Sequence, residues 1–203
     1  MTELEKSVRR HAGEFLCERI NESGKTRMFQ FAHVVTEPAE HTMLPQIGRL
    51  GDFYDTFGSV VFYRNEESGD AAKYIAPISE WAGLHEDFCD WIEDLTEEER
   101  SENLPDWVDA CLVIGETPHS GNYILMPTNG IEAGFVFEFD HDGFEFTEEA
   151  KNIVEYVEKL LKPDDRTLVG FASHMRFVDG DPYVQWWIRQ CSDNVGHVAS
   201  TEG

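Results

Sequence analysis

The feature that most constrains the fold of this chain is the stretch 111–146, CLVIGETPHSGNYILMPTNGIEAGFVFEFDHDGFEF. It holds three short apolar runs separated by turn residues. Cys111-Leu112-Val113-Ile114-Gly115 stops at glycine. Asn122-Tyr123-Ile124-Leu125-Met126 lies between Ser120-Gly121 and Pro127. Phe135-Val136-Phe137-Glu138-Phe139 opens after Gly134 and closes on Asp140-His141-Asp142-Gly143. Aromatic and β-branched side chains suit a pleated surface, and Gly, Asn, Asp and Pro supply the turns. The short connections predict a β-meander, with the rest of the chain packed against it.

On either side, periodicity predicts further elements. Residues 2–20 read as a helix with Leu4, Val8, Ala12, Phe15, Leu16 and Ile20 on one stripe, ended by 21–24. Residues 27–35 alternate as a strand. A helix over 42–57, capped by Thr42 and stopped by Gly58, carries Met43, Leu44, Ile47, Leu50, Tyr54 and Phe57. Strands follow at 59–63 and 74–76 around the polar turn 65–71. Residues 77–95 form a second helix, capped by Ser79, with Trp81, Leu84, Phe88, Trp91, Ile92 and Leu95 on its apolar face. Thr147 is placed to cap a helix over 148–161, with Glu148 and Glu149 in its first turn. Residues 167–172 and 183–189 read as strands, the second with Trp186 and Trp187 on opposite faces. The tail 192–203 reads as frayed and flexible. Strands and helices do not alternate as βαβ units. The reading is therefore α+β: a single domain with helices on one face of a mainly antiparallel sheet.

The charge limits what the chain can bind. Forty acids against sixteen bases leave a net charge of −24. Residues 1–27 are close to neutral, so the excess falls on the remainder, above all on 86–102 and 132–149. Such a surface repels nucleic acid and anionic membranes and attracts a basic protein. No apolar run approaches the ~20 residues of a membrane span, and the charged start has no signal-peptide core, which predicts a cytoplasmic protein. Four separated cysteines without a C-x-x-C are expected to be free thiols.

Motifs for catalysis are missing from the sequence. The eight histidines are scattered, with no H-E-x-x-H. Residues 140–143 resemble the start of a calcium loop but lack its later ligands, and read as a hairpin turn. The segment 115–121 lacks the lysine of a phosphate-binding loop, and no G-x-S-x-G occurs. The expectation is a protein that is not an enzyme, with no cofactor and no metal. An enzyme would instead show a concave pocket lined by two or more acids.

The order of the pieces is familiar. Met43-Leu44-Pro45 heads a helix ending in Phe53-Tyr54-Asp55-Thr56-Phe57-Gly58. The strand 59–63 comes next, then Ile114-Gly115, Gly121-Asn122-Tyr123-Ile124-Leu125, Gly134-Phe135-Val136-Phe137 with Asp140-His141-Asp142, and an amphipathic helix. Over about 42–161 this resembles the SUKH superfamily, the Smi/Knr-like proteins. It departs from the family pattern in lacking Asn-Gly-Gly after the first helix and in carrying a long acidic helix; residues 1–41 lie outside the match. The resemblance implies an α+β domain without catalytic machinery, and a role as an immunity protein that binds and neutralises a toxin. Many such toxins are basic nucleases, which agrees with the charge. The alternative is a Smi/Knr-like regulatory or scaffold module with no toxin partner. The expected partner-binding residues are Glu86, Asp87, Asp90, Glu93, Asp94, Glu97, Glu98, Asp140 and Asp142, with Trp187 as a candidate exposed anchor. The oligomeric state is left open.

Overall fold

The computed structural model describes residues 1–40, 44–178 and 183–202. Thr42 and Met43, the expected cap and first apolar position of a helix, lie outside them. Among the described residues the fold is α+β with one sheet, and every strand pairing whose register is defined is antiparallel. The strands are β1 Ala12–Arg19, β2 Thr26–Thr36, β3 Ser59–Arg64, β4 Lys73–Ile75, β5 Cys111–Thr117, β6 Asn122–Pro127, β7 Val136–Asp140, β8 Glu145–Ala150, β9 Phe177–Val178, β10 Gln185–Asp193 and β11 Val198–Ser200. Their order is β11-β10-β1-β2-β3-β4-β5-β6-β7-β8, with β9 on β10. The helices are α1 Glu3–Arg10, α2 Leu50–Tyr54, α3 Trp81–Ile92, α4 Glu97–Asn103, α5 Ile153–Leu160 and α6 Asp165–His174. No helix among the described residues is long and apolar enough to cross a membrane.

By its internal contacts the chain divides into two compact units, Met1–Val35 with Val61–Lys73 and Glu158–Gly203, and Thr36–Val60 with Tyr74–Val157. The second contains the meander. Leu125 pairs with Val113 on β5 and Phe137 on β7, and Phe139 pairs with Phe146 on β8. Leu84, Phe88 and Ile92 of α3 pack with Val113, Tyr123, Leu125, Phe137 and Phe139 in one apolar cluster. Each such buried side chain contributes about 1.5–3 kcal/mol. Because strand neighbours face opposite ways, Glu138 points away from that cluster. There it accepts a 2.5 Å hydrogen bond from the Tyr156 hydroxyl of α5. The helices α3 and α5 therefore cover opposite faces of this part of the sheet, not one face as the element pattern suggested. Phe88, Val113, Ile124, Phe137, Ile153 and Val157 are all buried, as their spacing predicts, while Trp81 is only half-buried.

In the first unit, Phe15 and Cys17 of β1 alternate into a core with Phe29 and Phe31 of β2. Phe29 stacks on Phe177 at 4.6 Å between ring centroids, and Tyr63 meets Phe171 of α6 at 4.9 Å.

Several elements differ from the sequence expectation, each for a physical reason. The helix over 2–20 ends at Arg10. From Ala12 the chain is strand β1, held between β2 and β10, where a ladder on both edges outweighs a weak helical stripe. Within the described part of the helix expected over 42–57, residues 44–57, the helix is Leu50–Tyr54. Gly48 and Arg49 have φ of 53° and 59°, and a side chain at Gly48 would strike Met126 at 2.6 Å. Ser79 lies in a 3-10 turn, Ile78–Glu80, and caps nothing. Thr147 is not a cap either. It pairs with Glu138 in β8, because β8 satisfies the otherwise open edge of β7. The helix then starts at Ile153, where the Asn152 side chain accepts from the Glu155 amide. Residues 167–172 are helix α6, capped by Asp164, with Leu168, Phe171 and Ala172 buried at helical spacing. The tail expected to fray forms the end of β10 and β11.

Candidate functional site

In the second unit, the α3 stripe that packs inward leaves its acids outside. Glu86, Asp87, Asp90, Glu93 and Asp94 are all exposed. The helix α4 continues the run with a capping box: the Thr96 hydroxyl accepts from the Glu99 amide, and the Glu99 carboxylate accepts from the Thr96 amide and hydroxyl. These bonds hold the Glu99 carboxyl below its ordinary range. Glu97 and Glu98 stand exposed beside it. Arg100 ties α4 down by donating to the Ile92 carbonyl and the Asp109 carboxylate.

The second acidic group sits on the turn between β7 and β8. Asp140 and Asp142 are exposed, and the Asp140 side chain accepts from the Asp142 amide. Between them His141 is oriented from below by Asn122, a buried residue of β6. Asn122 Oδ1 accepts from the His141 amide and stands 2.7 Å from Nδ1, so Nδ1 carries the proton. Nε2 is left facing the Asp142 carboxylate at 3.2 Å.

Trp91 joins the two groups. Its ring centroid lies 4.5 Å from that of His141, and a side chain at Gly121, in the β5–β6 turn at φ 77°, would meet it at 2.8 Å. Only glycine suits both that backbone angle and that approach. The indole is nevertheless 42 % exposed. By helical angle Asp87 lies about 40° from Trp91, while Asp90, Glu86 and Glu93 point away from the buried stripe. The field of these acids reaches the strands. Burial, then Asp87 and Glu80, raise the carboxyl of Glu116 on β5 against the opposing effect of His119. Burial raises the Tyr123 phenol, helped by Asp87, Glu116 and Asp90 and opposed by a hydrogen bond with Trp91. An exposed indole thus lies between the His141 turn, which carries Asp140 and Asp142, and Tyr123, on which Asp87, Asp90 and Glu116 act.

Of the expected binding residues, the structure brings Asp87, Asp90, Asp140 and Asp142 into one neighbourhood. Glu86 and Glu93 stand on a different flank of α3, and Asp94, Glu97 and Glu98 follow beyond its end. Trp187 belongs to the other unit, where it is half-buried on β10 with the Arg176 guanidinium 5.0 Å over its ring. Trp91 and Glu116 were not foreseen. Trp91 sits about 60° around the helix from Phe88, at the edge of the apolar stripe, a position that signals a rim side chain.

Asp140, His141 and Asp142 could hold a metal ion, since one ligand atom from each lies within 4.8 Å of the others. Exposed carboxylates in a tight turn reach that spacing without an ion. The cysteines are free thiols. Burial pushes those of Cys111 and Cys191 up to about 12, which makes them poor nucleophiles.

The first unit has an open cleft of about 830 Å³ lined in part by Glu14, Glu66, Glu67, Asp193 and Arg64. It has the shape and the acids that an enzyme reading would require. Two of the four acids are already engaged: Glu67 accepts two hydrogen bonds from Arg27, and the Asp193 side chain is turned inward. Comparison of the chain with protein-family models, with curated proteins and with solved structures found no match.

Proposed function

We propose that this chain is a non-catalytic, immunity-type protein that neutralises a basic toxin domain by capping it with the acidic face around Trp91. The observation that carries the reading is the meeting of two acid runs, separate in sequence, at one exposed indole. Tryptophan anchors are enriched at binding hot spots, and a surrounding ring of charge steers an oppositely charged partner into register. A toxin that acts on nucleic acid must present a positive surface to phosphate, and carboxylates can occupy that surface in its place. The net charge of −24 and the resemblance to the SUKH superfamily support the same reading. The acids Glu86, Asp94, Glu97 and Glu98 would add to the long-range field without touching the partner.

The test is capture of binding proteins by the intact chain, compared with Trp91→Ala and with Asp87→Lys/Asp90→Lys. A basic protein held by the wild type, lost with Trp91→Ala and eluted by salt supports the reading. Equal capture by the wild type and both variants contradicts it. A second reading rests on the cleft of the first unit, which suits a small ligand or substrate. A ligand whose binding is weakened by Glu14→Gln but not by Trp91→Ala would favour that reading.

A further inference from the structure

In the first unit, three titratable side chains from three distant parts of the sequence form a closed hydrogen-bonded chain. His11 Nε2 lies 2.9 Å from Asp193 Oδ2, and His11 Nδ1 lies 2.7 Å from His33 Nε2. His33 Nδ1 accepts from the Tyr63 amide at 3.0 Å. The last contact settles every proton in the row. A backbone amide can only donate, so His33 Nδ1 is unprotonated and its proton sits on Nε2. That proton is donated to His11 Nδ1, which leaves the His11 proton on Nε2, donated to the Asp193 carboxylate. Asp193 also accepts from the Val195 and His197 amides.

A histidine bonded to a buried aspartate is the base-and-orienter pair of many hydrolases. Here neither ring has a nitrogen left for a substrate, so the row cannot act as a general base. What the geometry lacks is room for one more proton. Protonating His33 at Nδ1 sets two N–H groups against each other at Tyr63. Protonating His11 at Nδ1 does the same between the rings, and His33 cannot turn its proton over because Tyr63 holds its other nitrogen.

We infer that the His11–His33–Asp193 row is an acid-sensitive latch that fastens the start of β1 to the turn between β10 and β11. What it fastens is specific. Beside Asp193, the Asn194 amide donates to the Ala12 carbonyl, its side-chain NH2 donates to the Arg10 carbonyl and its Oδ1 accepts from the Ala12 amide. The end of α1, the start of β1 and residues 193–197 are therefore one joint, and the row of rings, with His11 buried and His33 half-buried, is its core. His33 is enclosed by the rings of His11, Phe62 and Tyr63. The titratable groups facing the row are the Tyr63 phenol, which donates to the Leu160 carbonyl, and the buried Cys191 thiol on β10. Both are neutral below pH 8, so among these groups Asp193 carries the charge against the row.

Burial, with the neighbouring His11, lowers His33 to about 3. Burial alone would raise Asp193, but its bonds from His11, His197 and Val195 outweigh that and hold it below the ordinary carboxylate range. Both shifts act in one direction. Unfolded His33 takes up a proton below about pH 6.5 and the folded ring does not. The stability it contributes is therefore complete above that pH and drains as pH falls toward about 3.

The experiment is denaturant unfolding of the whole chain between pH 7.5 and 4.5, for the wild type and for His33→Gln, which keeps a donor and an acceptor but does not titrate. The wild-type unfolding constant should rise about tenfold more per pH unit below pH 6 than that of the variant, the signature of one extra proton bound on unfolding. Equal slopes overturn the inference. Should the variant fail to fold, nitrogen NMR of the wild-type imidazoles decides. A neutral His33 with its proton on Nε2 at pH 5 supports the latch, and a ring protonated at both nitrogens, or carrying its proton on Nδ1, rules it out.

Discussion

At the scale of single residues, the fold and the proposed site rest on side chains whose surroundings allow little else. Phe137 is buried against Trp107, with ring centroids 4.6 Å apart, in a cluster that also holds Phe88 and Leu125. Phe137→Ala should cost about 3–5 kcal/mol of unfolding free energy in denaturant titration. A cost below 1 kcal/mol would mean that this core is not packed. Gly121 makes a sharper point about the proposed binding face. Gly121→Ala imposes a side chain on a φ of 77° and pushes it into the Trp91 indole. The expected outcome is a shift in Trp91 fluorescence together with weaker partner binding, without loss of the overall circular dichroism signal. Trp91 was legible in the sequence as a large residue at the edge of the apolar stripe, but not how much of it stays exposed. Its exposure depends on the Gly121 and His141 turns that meet it, and helical spacing alone contains no information about turns contributed by other strands.

At the scale of elements, the meander was readable because its signal is local: three β-rich runs, each ended by residues that suit turns, with partners next to each other in the chain. The elements that depart from the sequence reading depend on distant partners. Residues 12–19 carry a stripe that a helix could use, yet become β1 between β2 and a strand some 170 residues later. Residues 167–172 look β-rich, but the Asp164 cap and the 168, 171, 172 spacing of buried side chains make a helix. Thr147 shows the reverse case, a good local cap signal overridden by strand pairing. One cap that does form can be tested. Thr96→Ala removes the capping box of α4 and should cost about 1 kcal/mol. It should also loosen the Arg100 anchor, read as faster amide exchange through 97–103. Unchanged exchange there would show that Arg100 alone holds α4 in place.

At the scale of the whole molecule, the dominant quantity is charge. On the proposed function, the net charge of −24 gives the sign of the partner but not the place where it binds, because acids spread over a surface and acids gathered on one face have the same sum. The proposed place is the face of the second unit that holds the exposed Trp91 indole. Electrostatic steering predicts that association with a basic partner is fast at low salt, reaching ~10⁸–10⁹ M⁻¹s⁻¹ in favourable cases, and falls steeply as salt screens the face. The central claim is tested most directly by the association rate of the captured partner measured against ionic strength, for the wild type and for Asp87→Lys/Asp90→Lys/Asp140→Lys/Asp142→Lys. The account predicts a wild-type rate that drops by at least tenfold between about 10 and 300 mM salt, and a variant that is slow throughout. An acidic partner, or two rates that coincide at low salt, would contradict it.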